Sequence, residues 1–244
     1  MNPVDLFRFS YSTADARSLL LLLLSVDLLL AFAYILTHVI APESSLGPLK
    51  NFLDVDREVS IPTWFSSIQL FAVGAVLLMQ ARGAKQLKVF LVLAGLGFMF
   101  LSLDEAAAIH DNIYRSAQRL KLPWIGGEEY LVWMVAYLGI GIIGLLIGYR
   151  PALFVWLNFR REALWVAAGG AIFVAAGIGI EILTHYLVRR AVDAKFFLAV
   201  AAEEFFEMAG VSIMLYGFML LGIRLESEPS KEMPRQAKRL ARLE

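Results

Sequence analysis

An all-α membrane protein with six bilayer-crossing helices is the fold class this chain predicts, and three observations predict it. Six stretches, residues 18–41, 62–81, 87–110, 130–149, 163–188 and 196–223, are mostly apolar, and about 20 such residues cross a hydrocarbon core of roughly 30 Å. The composition, 59% hydrophobic and 18% charged with a mean hydropathy of +0.67, is too apolar for a domain in water. Lys and Arg gather in alternate connections, as the positive-inside rule requires of a polytopic protein. No segment between the stretches is long enough to fold alone, so one domain is expected. It comprises an N-terminal segment 1–17, a six-helix domain 18–223 and a basic tail 224–244.

The first stretch, LLLLLLSVDLLLAFAYILTHVI, is too long for a signal-peptide core and lacks a small-residue cleavage site. It reads as a retained span, with Asp15 as its expected N-cap. The second connection (Arg82, Lys85, Lys88), the fourth (Arg150, Arg160, Arg161), the N-terminus and the tail hold 14 of the 22 cations. Both termini are therefore expected in the cytoplasm of a bacterial-type inner membrane. Trp64, Trp124 and Trp133 then mark the outer interface, and Trp156 and Trp165 the inner one. Cysteine is absent, which excludes disulfides, thiolate metal sites and iron–sulfur clusters. The dispersed cations carry no nucleic-acid signature, so the expected partners are the lipid bilayer and other membrane subunits. The tail, which ends in KRLARLE, fits a basic amphipathic helix against anionic lipid.

The acids and histidines lie on the other side. Fourteen of the 22 acids fall at or near the expected outer ends of the spans, and Asp27 falls within the first. All three histidines, His38, His110 and His185, also sit at outer ends. Eighteen residues after each comes an acid that opens the next span, Asp56, Glu128 and Glu203. The tetrapeptide ILTH occurs at 35–38 and again at 182–185. This spacing suggests three successive helical hairpins, although equal loop lengths with acids at helix N-termini would give much of the same pattern.

Depth separates the acids. Asp104 lies about 24 Å along the third helix from Lys88, and Glu207 about 15 Å into the sixth. Ionised carboxylates at such depth cost on the order of 2.5–3.5 kcal/mol, so they turn toward the bundle interior and find company. Glu181 and His185 share a helical face, as do Glu203 and Glu207. Glu105 and His110, five apart, cannot both face inward from one regular helix. Small residues beside them (Ala106, Ala107, Ala108, Gly177, Gly179, Ala201, Ala202, Gly210) permit close helix approach.

The expected site comprises Asp104, Glu105, His110, Glu181, His185, Glu203, Glu204 and Glu207, between the third, fifth and sixth helices and open outward. Carboxylate and imidazole without thiolate suit Fe, Mn or Zn. The ligand set is that of four-helix di-iron proteins, but the Glu-x-x-His spacing is missing: Glu181 and His185 are four apart, and Glu204-Phe-Phe-Glu207 lacks the histidine. A metal-dependent membrane enzyme, with one or two divalent ions acting on a lipid-soluble or periplasmic substrate, is the first expectation. A proton- or cation-coupled transporter using the same acids is the second. It needs a polar route inward, for which Ser67, Gln69 and Asp27 are the only stepping stones in the sequence. An accessory subunit whose acids bond neighbouring helices is the third.

Overall fold

The computed structural model describes residues 11–40, 47–84, 87–110, 112, 129–184 and 193–227, and every regular element among them is a helix. Six are long: α1 (Thr13–Ile35), α2 (Ile61–Gln80), α3 (Lys88–Ala107), α4 (Glu129–Asn158), α5 (Arg160–Val174) and α6 (Ala194–Ser227). α1 and α5 each continue into a π-helical turn, Leu36–Ile40 and Ala175–Ile180. All six are long and apolar enough to cross a membrane.

Local chemistry sets the ends. Ser12, not Asp15, caps α1: its hydroxyl accepts from Asp15 N at 3.2 Å, and Asp15 Oδ2 accepts from Ser12 N at 2.8 Å. Asp15 is the third helical residue of a capping box, which supports the helix from inside. Ser60 caps α2 in the same way, with Pro62 in the first turn, where its missing N–H costs nothing. α4 passes the expected end at 149 and continues through Pro151 to Asn158. The fourth connection therefore shrinks to a corner at Phe159, which is 1% exposed and packs on Phe154. Burial of that ring sets the turn, and the three arginines around it cannot be read for this.

α6 is the hub. From Met208 to Gly222 nearly every residue is buried, and α6 packs strongly against α5, α1 and α2. A helix that is apolar on all sides belongs in the middle of a bundle. Glycines set the closest crossings. A methyl group on Gly210 would stand 2.8 Å from Gly169 O of α5, and one on Gly74 of α2 would stand 2.9 Å from Gly95 O of α3. Ser67 and Ser102 bind the second crossing reciprocally, each hydroxyl donating to the other's carbonyl at 2.9 and 2.8 Å. The leading partnerships are α2 with α3, α5 with α6, and α1 with α6. They do not follow three successive hairpins.

α4 lies at the periphery, where Ile140, Ile142, Ile143, Leu145, Leu146 and Ile147 are all exposed. The bundle has a basic end and an acidic end. At the basic end Arg160, Arg161 and Arg224 line a shallow cavity with Thr13 and Asn158. Near it the Gln80 amide donates to Tyr11 Oη at 3.3 Å and to Phe218 O at 2.7 Å. The acidic end carries the candidate site.

Candidate functional site

The acidic end is assembled from α1, α3, α6 and the segment before α2. His38 stands in the π turn that ends α1, 7% exposed, its ring against Tyr34 at 4.2 Å and Phe197 of α6 at 5.2 Å between centroids. Its Nδ1 lies 3.1 Å from Tyr34 O. The Thr37 hydroxyl also lies 3.0 Å from Nδ1, and Nε2 faces Asp54 Oδ2 at 3.7 Å. π turns recur at functional sites because they displace one turn of side chains from the helical register.

α3 supplies a second imidazole–carboxylate pair. The helix ends at Ala108 in the left-handed conformation, φ 49° and ψ 46°. This reverses the chain so that Asp104 Oδ1 accepts from His110 N at 2.8 Å, and Oδ2 lies 3.2 Å from His110 Nδ1. The Tyr137 hydroxyl of α4 reaches the same carboxylate. Spacing on a regular helix therefore does not govern His110, which lies beyond the helix end and folds back. Glu105, adjacent in sequence, accepts from the Ser66 hydroxyl of α2, and among the described residues His110, Glu58 and Asp104 are the charged groups that act on it most. Both Glu105 and His110 face the cluster after all.

α6 contributes the rest. Glu203 is 7% exposed, and Glu204 is half-buried. Among the described residues the strongest charged neighbours of Glu204 are acids: Glu207, Glu105, Glu203 and Asp56. Asp56, with Asp54 and Glu204, also lies near Tyr34. Glu207 sits across from α5, so close that a methyl group on Gly177 would lie 2.5 Å from its Oε1. Gly177 falls in the π turn Ala175–Ile180, so both π turns border the site. Gly179, by contrast, has nothing within 4 Å of where its Cβ would be.

The expected residues thus divide. Glu105, Glu203, Glu204 and Glu207 converge, with Asp104 and His110 at the edge. The Glu181 side chain and all of His185 lie outside the described residues, as do Glu128 and Asp111. The expected position between the third, fifth and sixth helices shifts toward α1 and α2, because α3 packs on α2 and turns Glu105 to Ser66. Among the described residues no three of the histidine, aspartate and glutamate side chains form a group that could hold a metal ion. Metal binding therefore has no support from their geometry. Tyr34, Ser66 and the 54–58 segment were not foreseen as site residues. Tyr34, four before His38, was the one legible signal.

A second polar group lies deeper. Asp27 of α1, Gln69 of α2 and Ser212 of α6 are 0%, 1% and 0% exposed. Gln69 Nε2 donates to Asp27 Oδ1 at 2.8 Å and to Ser212 Oγ at 2.9 Å, and Ser212 Oγ donates to Asp27 Oδ2 at 3.0 Å.

No curated protein and no solved structure matches the chain. Residues 19–221, which reach from α1 into α6, match the family model described as Domain of unknown function (DUF8692), and the chain belongs to that family.

Proposed function

We propose that the protein is an inner-membrane protein with both termini cytoplasmic, and that its acidic end takes up protons or a small cation from the outer side. The reading is that of a proton- or cation-coupled transporter or ion-translocating subunit. One observation carries it: among the described residues, the charged groups that act most strongly on Glu204 are all acids, drawn from α3, α6 and the segment before α2. Like charges gathered in a partly dry place require compensation, and a proton or a mobile cation supplies it. The two π turns and the left-handed Ala108 place irregular backbone around this group, as at sites that bind and release.

Proton uptake by purified protein in lipid vesicles, measured with a pH dye after an acid pulse, tests the reading. The parent takes up protons that the Glu204→Gln variant does not. Equal uptake by both refutes it. A second reading, the metal-dependent membrane enzyme, is favoured by one observation: a carboxylate on His110 Nδ1 is how a ligating imidazole is oriented. Stoichiometric Fe, Mn or Zn in the parent, lost in His110→Ala, supports that reading against the first. An accessory role is left if neither property appears and the protein purifies with a membrane partner.

A further inference from the structure

The hydrogen bonds of the buried group formed by Asp27, Gln69 and Ser212 are one donor short. Both amide hydrogens of Gln69 and the hydroxyl hydrogen of Ser212 are used, on Asp27 Oδ1, Ser212 Oγ and Asp27 Oδ2. Gln69 Oε1 is buried and has no hydrogen-bond partner. A buried acceptor left empty costs about 1–3 kcal/mol. Among the described residues no Lys or Arg pairs with Asp27. A group kept only as glue between helices would satisfy all its members.

We propose that Asp27 is an exchangeable proton-binding site, with Gln69 and Ser212 as the donors that hold its ionised form. A proton arriving on Oδ2 makes that oxygen a donor to Ser212 Oγ, whose own hydrogen turns away, while the Gln69 amide goes on donating to Oδ1 and to Ser212 Oγ. No bond other than O–H forms or breaks: hydronium in the water at the acidic end gives up the proton and leaves as water.

The nearest polar side chains lie toward that end. On α2, Ser66, which holds Glu105, lies about 4.5 Å of helix rise from Gln69. On α6, Glu207 lies about 7.5 Å along the axis from Ser212. In the other direction α2 reads LFAVGAVLLM from 70 to 79, with no polar side chain before Gln80, about 16 Å away. Leu70, Val73, Leu77, Val211 and Leu215 close that path. The titratable groups facing Asp27 are correspondingly few. α2 brings none between Ile61 and Gln80; α6 brings Glu207 above and Tyr216 below, the latter turned to Trp165 of α5; α1 itself brings Tyr34. The site fills from one side, as it would in the outward-facing state of a transporter. It deepens the proton-uptake reading of the acidic end and names where the proton comes to rest.

Infrared difference spectroscopy of the full-length protein in lipid vesicles, labelled with carbon-13 aspartate, tests the assignment. Acidification produces a protonated aspartate carbonyl band that is missing in Asp27→Asn, a variant that keeps the shape of the side chain. Ser212→Ala removes one donor to the ionised form, and the band then appears at about tenfold lower proton concentration, the equivalent of one lost charged hydrogen bond. If Asp27→Asn does not fold, the Ser212→Ala displacement decides by itself. A band that survives Asp27→Asn, that ignores Ser212→Ala, or that never appears in the parent overturns the proposal. The Asp27 band present while Glu204→Gln leaves proton uptake unchanged defeats only the reading of the acidic end. Loss of uptake in Glu204→Gln without any Asp27 band defeats only this site.

Discussion

Ala108 holds a conformation that most L-residues avoid. At φ 49° its Cβ crowds the following carbonyl, a strain of about 1–2 kcal/mol that glycine escapes. The conformation persists because the reversed chain delivers two contacts from His110 to Asp104 and two from Asn112 to Ala108 O, at 3.2 Å from the backbone N and 2.8 Å from Nδ2. Ala108→Gly is expected to raise stability by about 0.5–1 kcal/mol, read as a higher melting temperature in detergent. Asp104→Ala is expected to lower it by about 1–3 kcal/mol, since it strands His110 N in a place with little water. Helical spacing in the sequence puts Glu105 and His110 on different faces. What defeats that reading is one alanine at a position where glycine would have advertised the turn. Gln69 and Asp27 stand out in the sequence as steps of a polar route, but Ser212 does not, and only a fold that brings α1, α2 and α6 together joins the three.

At the scale of elements, the glycines of this chain divide by what stands opposite them. Gly169 and Gly210 face backbone, which cannot give way, so Gly169→Ala and Gly210→Ala should each cost about 1–3 kcal/mol. Gly139 and Gly141 of α4 face nothing within 4 Å, and Ala there should be neutral or add about 0.5–1 kcal/mol through helix propensity. Thermal unfolding of the four variants side by side checks the contrast. The existence and number of the helices could be read from hydropathy, because crossing a membrane demands length and apolarity that nothing else in the chain mimics. Their partners could not. None of the six helices shows a strong apolar face to choose a neighbour by, and small residues mark the crossings only after the fact. The corner at Phe159 was hidden too, since its cations suggested a loop while its aromatic ring drew the chain inward.

For the whole molecule, the asymmetry of charge was legible and became the division between a basic end and an acidic end. The topology proposed from it is checked by a property of the composition. The chain contains no cysteine, so single cysteines can be placed at will. Ser45→Cys is expected to react with a membrane-impermeant maleimide from outside the cell, and Arg82→Cys only after permeabilisation. The reverse pattern would invert the orientation and with it the direction of proton entry.

The last of the six long helices is also the one that α1, α2 and α5 lean on. A ribosome releases it after everything that needs it, so the earlier helices wait in the bilayer without their axle. Asp27 and Gln69 spend that interval without Ser212, and the early bundle stays loose and wet until α6 joins it. Stop codons placed before Ala194 should therefore yield helices that insert but never lock together, and that a membrane protease clears quickly.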